Sequence, residues 1–137
     1  MASKLSTLSR EAIADLKEEI QQYYTYKKTQ RHYIKISYKN CHIFDPHKKN
    51  NTYRRMSITP QAGQQSTKIG VHQIIYFLYF GKISETKSKT IDVSHLCGNK
   101  RCVNIAHLHL EERKVNVERV SCHRRRKCLG HEPPCIV

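Results

Sequence analysis

The placement of cysteine and histidine limits this chain more than any other feature. Five of its six cysteines fall between residues 97 and 135. Cys97, Cys102 and His107 are spaced C-x4-C-x4-H, and Cys122, Cys128, His131 and Cys135 are spaced C-x5-C-x2-H-x3-C. Thiolate mixed with imidazole is the donor chemistry of tetrahedral zinc. The second set is already complete. The first lacks one ligand, and one cysteine, Cys41, is left over. Six cysteines and two histidines then divide into two Cys3His sites with none spare. Three thiolates and one imidazole leave no open coordination position, so both zincs are read as structural. His109, two residues beyond His107, stays open as an alternative ligand.

The remaining composition agrees with a fold that leans on metal. The chain is 38% hydrophobic and 8% aromatic without Trp, a modest core for 137 residues read as one domain spanning 1–137. Structural zinc in small motifs supplies roughly 10–16 kcal/mol of apparent binding energy that couples to folding. Twenty-five Lys and Arg against eleven Asp and Glu give a net charge of +14, which points to a polyanionic partner, nucleic acid first. No run approaches the roughly 18 apolar residues of a membrane span, and residues 1–6 carry no apolar secretion signal. The expectation is a nuclear or otherwise intracellular protein, not a secreted one. Three disulfides in a secreted basic protein are the competing reading, but they leave the histidines without a role.

Periodicity predicts an α+β fold: a small mixed domain with an antiparallel sheet. Ser9 can cap a helix through residue 24, with Ile13, Leu16, Ile20 and either Tyr23 or Tyr24 on one face. This N-terminal unit is bounded at 1–28. Residues 31–39 alternate with period two, placing His32, Ile34, Ile36 and Tyr38 toward a core and Arg31, Tyr33, Lys35, Ser37 and Lys39 toward solvent or phosphates. A second strand over 52–59 alternates Met56 and Ile58 with Arg55 and Ser57, and residues 66–71 suit a third. Residues 71–81 read as a buried helix stopped by Gly81, with a strand as the alternative. Strands and this helix fill 31–90, their basic sheet face a surface for double-stranded DNA. A short helix is expected over about 110–120, fastened by His107 on one side and Cys122 on the other. That fastening sets the helix against the segment bearing His95, so that His95 and Asn116 can face one another across a small gap. Arg124, Arg125 and Arg126 form a charge run inside the second zinc loop, where they can clamp phosphates. His72 is read as a packing residue, and His42, His109 and His123 as incidental.

The run S-H-L-C-G-N-K-R-C-V-N-I-A-H-L from Ser94, Asn116 beyond it, and the closing cysteine–histidine set resemble the His-Cys box of homing endonucleases. These are ββα-metal nucleases related to the HNH group. The similarity is close from Ser94 to Cys135, and Cys41 falls where that family supplies its remote zinc ligand. The resemblance implies a Mg²⁺-dependent DNA endonuclease with two structural zincs and one catalytic Mg²⁺. His95 would be the general base and Asn116 the protein ligand of the Mg²⁺. The family's phosphate-contacting arginine has no clear counterpart; Arg54, Arg55 and Lys68 are the candidates, with Arg55 preferred. A catalytically inactive zinc-stabilised DNA-binding domain is the alternative. The family's dimer uses an extended C-terminal arm, which this sequence does not support, so any homodimer would need another interface.

Overall fold

Helix α1, Arg10–Tyr24, starts where the sequence places its cap: the Ser9 hydroxyl accepts a hydrogen bond from the Ala12 N–H at 3.1 Å. Such a cap is worth about 1 kcal/mol. Its buried face, Leu16 and Ile20 with Ile13 and Tyr23 alongside, joins the main core, and Tyr23 packs edge-on against Phe44 at 4.6 Å. The computed structural model describes residues 5, 7–25, 33–48, 52–59, 63, 65–81 and 90–137.

The strands form three two-stranded antiparallel ribbons among the described residues, rather than one sheet. In the first, β1 (Ile34–Ile36) pairs with β2 (His42–Phe44). Here the alternating pattern misleads beyond Ile34. Ile36 is 54% exposed and Tyr38 83% exposed, because the strand ends at Ile36 and the chain turns through a 3-10 turn at Tyr38–Asn40. Lys39 and Asn40 take positive φ values there, and β2 supplies the core residues Ile43 and Phe44 instead. Three residues are too few for periodicity to announce β2. Arg31 and His32 lie outside the described residues.

The second ribbon joins β3 (Arg55–Ile58) to β4 (Thr67–Gly70), with Ser57 opposite Lys68 and Met56 opposite Ile69. Met56, Ile58 and Ile69 face the core, whereas Arg55, Ser57 and Lys68 face outward. Helix α2, Val71–Phe80, follows directly and buries Val71, His72, Ile74 and Ile75. It ends at Gly81, whose φ of 79° only glycine adopts without strain.

The third ribbon lies outside the strands that periodicity predicts, and it supplies the ββα motif that the family resemblance implies. β5 (Ile91–His95) pairs with β6 (Leu108–Glu112), and helix α3 occupies Arg113–Arg125. The segment expected to be helical from about 110 is therefore strand to Glu112, and the helix runs past Val120 to Arg125. The physical reason is readable afterwards: Leu108 and Leu110 alternate with His109 and Glu111, a period of two, and β5 offers a full ladder. Val93 and Leu108 place this ribbon on the main core. The result is a ββα unit, β5–β6–α3.

Candidate metal centres and active-site cleft

The two ligand sets assemble as clusters. Cys41, Cys97, Cys102 and His107 form one, and Cys122, Cys128, His131 and Cys135 the other; within each, all donor atoms lie within 4.8 Å of one another. His107 uses Nδ1, 3.7 Å from Cys41 Sγ and 3.5 Å from Cys102 Sγ. His131 Nδ1 lies 3.3, 4.0 and 3.8 Å from the sulfurs of Cys122, Cys128 and Cys135. Zn–S of about 2.3 Å and Zn–N of about 2.05 Å give tetrahedral S···N edges of about 3.5 Å, so both clusters fit zinc. All six cysteines are free thiols, which removes the three-disulfide reading. His107, not His109, completes the first cluster; His109 sits on β6 opposite Ser94.

Outer contacts favour ligand thiolates. Backbone N–H groups of Asn104, Leu129 and Cys135 point at the sulfurs of Cys102, Cys122 and Cys128 at 3.5, 3.3 and 3.3 Å. The Cys97 thiol, aided by the Asn104 N–H, holds Cys102 down to about 5, and burial beside Cys102 pushes Cys41 up to about 11. A divalent cation among them relieves that opposition. Glu118 on α3 accepts from His131 Nε2 at 3.2 Å, fixing the ring with Nδ1 toward the sulfurs. Arg119, 2% exposed, chelates Glu111 of β6 at 2.6 and 2.7 Å and donates to the Pro133 carbonyl and to Cys135 Sγ at 2.9 and 3.2 Å. Helix α3 is thereby bolted to the strand before it and to the cluster after it.

The first cluster orients a buried imidazole. His95 ends β5, and its Nε2 lies 2.9 Å from the carbonyl of Cys102. A carbonyl only accepts, so Nε2 carries the proton and Nδ1 of the neutral ring carries the lone pair. Burial holds this histidine down to about 4, so the ring is neutral near pH 7. Its ring lies 4.7 Å from His72 and 5.7 Å from Tyr53. Those two belong to the wall of a cleft of about 310 Å³ whose lining also includes Arg55, Gly70, Gln73, Asp92, Val93, Arg113 and Asn116. Arg55 and Asn116 therefore meet in one cleft. His95 stands behind two of its aromatic walls, 7% exposed, instead of on the lining itself. Lys100 lies over the Tyr53 ring, 5.4 Å from its centroid.

Other basic residues divide between surface and interior. Lys35, Arg55 and Lys68 are exposed. Arg54 is not: it is 4% exposed and donates to the carbonyls of Phe44, Thr52 and Lys48 at 3.2, 3.3 and 2.9 Å. It clips the loop after β2, and its expected role as a DNA contact is corrected, since its donors are spent on backbone. Arg124 and Arg125 form the last turn of α3 and Arg126 its left-handed cap, so the expected loop clamp begins as helix; all three are exposed. Cations there suit the helix C-terminus. His123, expected to be incidental, packs its ring against Gly98, where an added Cβ would lie 2.7 Å from it. Sequence reasoning missed Asp92, Arg113 and Tyr53 altogether. Nothing in the pattern flags them: the β5–α3 contact brings Asp92 to Arg113, and the ring contacts of Tyr53 with His72 and His95 place it beside them.

A family model described as the zinc-binding loop region of homing endonuclease matches residues 22–137. The chain belongs to this family. All eight clustered ligands of this homing-endonuclease relative fall inside the matched span, as do His95, Arg55 and Asn116. No curated protein and no solved structure matches the chain. Among the described residues no helix is long and apolar enough to cross a membrane.

Proposed function

We propose that this protein is a divalent-cation-dependent endonuclease acting on double-stranded DNA, with two structural zincs. The observation that carries the reading is the His95 tautomer: a zinc-ligand carbonyl fixes Nε2 as donor beside a cleft containing Asn116 and Arg55. His95 Nδ1 is the base that takes the proton from an attacking water, an effect typically worth about 10²–10⁴-fold. Asn116 is the residue that would hold Mg²⁺. Its Nδ2 faces the Asp92 carboxylate, which leaves Oδ1 as the ligand atom. A small hard cation that keeps most of its waters suits a neutral oxygen beside a phosphodiester. When bound, the ion supplies positive charge against the oxygens and leaving group of the scissile phosphate.

Arg55 reaches the cleft from the outward face of the β3–β4 ribbon and is the candidate phosphate contact, with Lys68 further along that face. Lys35 and Arg124 to Arg126 add sequence-independent attraction for the backbone. The test is supercoiled plasmid with Mg²⁺ and zinc-loaded protein. Wild type should nick or cut it. His95→Ala should lose at least about 100-fold in rate with zinc content and DNA affinity kept. Protein that binds the plasmid and never cuts it would refute the proposal in favour of a binding domain.

A further inference from the structure

Among the described residues, Asp92 is the one carboxylate lining a cleft that is otherwise neutral or basic. Three N–H donors converge on it. Arg113, at the first position of α3, binds it in bidentate fashion, Nε to Oδ2 at 3.1 Å and Nη2 to Oδ1 at 3.0 Å. Asn116 Nδ2 donates to Oδ2 at 3.3 Å. Arg113 is 62% exposed and Asp92 21%, so the pair opens to solvent on the cleft side. Helix termini favour acids in their first turn; α3 has none there, and places Arg113 at that turn instead. The strand's Asp92 compensates a cation that the helix itself does not want.

The same carboxylate is suited to another cation. Asn116 Nδ2 lies 3.3 Å from Asp92 Oδ2, so turning the amide over would bring Oδ1 close to the separation of about 3 Å that two oxygens on one Mg²⁺ at about 2.1 Å require. Mg²⁺ sites built from protein typically include one or two carboxylates beside substrate phosphates. Asn116 alone supplies none. A second feature of the cleft marks it as a place for ligands: His72 lines it, is 8% exposed, and its Nδ1 has no hydrogen-bond partner among the described residues.

We infer that Asp92 is the anionic ligand of the divalent cation in this cleft, sharing it with Asn116, and that Arg113 and the cation compete for its carboxylate. The inference rests on the proposed metal role of Asn116 and adds a ligand and a competitor. In the absence of cation, Arg113 neutralises Asp92 and keeps it from repelling DNA. With the cation in place, the guanidinium is released at the N-terminus of α3, where it can meet a phosphate.

The experiment is Mn²⁺ binding to the zinc-loaded full chain without DNA, followed by the electron paramagnetic resonance of free Mn²⁺. Asp92→Asn should weaken binding at least about ten-fold, since it removes the charged ligand and keeps the shape. Arg113→Gln should tighten binding about two- to five-fold, the worth of an exposed ion pair. In the Asp92→Asn background, Arg113→Gln should change nothing. Zinc content identifies a variant that has unfolded, and Arg113→Gln tests the idea with the carboxylate intact. If Asn116→Ala weakens binding while Asp92→Asn and Arg113→Gln leave it unchanged, Asp92 is only a clamp on α3, and this inference falls while the role of Asn116 stands. If wild type takes up no Mn²⁺ at millimolar concentration, both fall.

Discussion

Replacing Arg119 by methionine tests the wiring between α3 and the second cluster. The change removes two short charge-assisted bonds to Glu111, one bond to the Pro133 carbonyl and one to Cys135 Sγ. It strands the Glu111 carboxylate, whose side chain is 7% exposed, with no cation beside it. Breaking one side of a buried pair costs about 3–5 kcal/mol. For a domain of this size that is a fall in Tm of roughly 10–20 °C. Removing a donor to a ligand sulfur should also weaken zinc at this cluster about ten- to hundred-fold. Urea denaturation of the zinc-loaded protein, together with zinc retention against a chromophoric chelator, reads both effects. The double variant Glu111→Leu with Arg119→Met should recover most of the stability, because neither charge is then left alone. It should not recover the zinc affinity, because the donor to sulfur is still missing. A single variant costing under about 1 kcal/mol, or a double variant no better than the single, would refute the reasoning.

Gly98 has a φ of 72° and faces the His123 ring, whereas Gly63 has a φ of 84° and open space. Gly63→Ala should cost only the left-handed backbone, about 1–2 kcal/mol, and Gly98→Ala clearly more; equal losses by urea denaturation would exclude the His123 contact. His72 is held down to about 3, by burial first and by His95 second. Its folded pKa lies below the unfolded value, so its neutral form contributes stability that is complete above about pH 6.5 and is lost as pH falls toward 3. His72→Gln should therefore flatten the stability profile by about 1.4 kcal/mol per pH unit between pH 6 and 4, and parallel profiles would refute this. Arg124→Ala and Arg125→Ala should each lower the slope of log affinity for DNA against log salt by about 0.9 if each touches a phosphate. An unchanged slope would place both on a free surface.

The ligand sets were legible because metal chemistry fixes residue type and spacing together, and a left-over Cys41 has few other uses beside five partners. Helix α1 was legible from Ser9 and the apolar stripe behind it. What the pattern hid lies where one residue type has two physical uses. Arg54 looks like its neighbour Arg55, yet one is spent on loop carbonyls and the other lines the cleft. The stretch after His107 mixes alternating leucines with helix-forming charges, and only pairing with β5 decides that it is strand to Glu112. Asp92 was invisible for a related reason: nothing in an isolated strand reveals which helix end will lie across it.

The unequal reach of the two clusters has a consequence for assembly. The second gathers its ligands from residues 122–135, one short local loop, and closes with little loss of chain freedom. The first closes only after Cys41 has been carried back to Cys97 across the intervening chain. When metal is scarce the tail therefore knots first, and the histidine whose tautomer depends on Cys102 is the last to be set. Scarce metal thus leaves the tail knotted while the His95 ring still lacks its anchor.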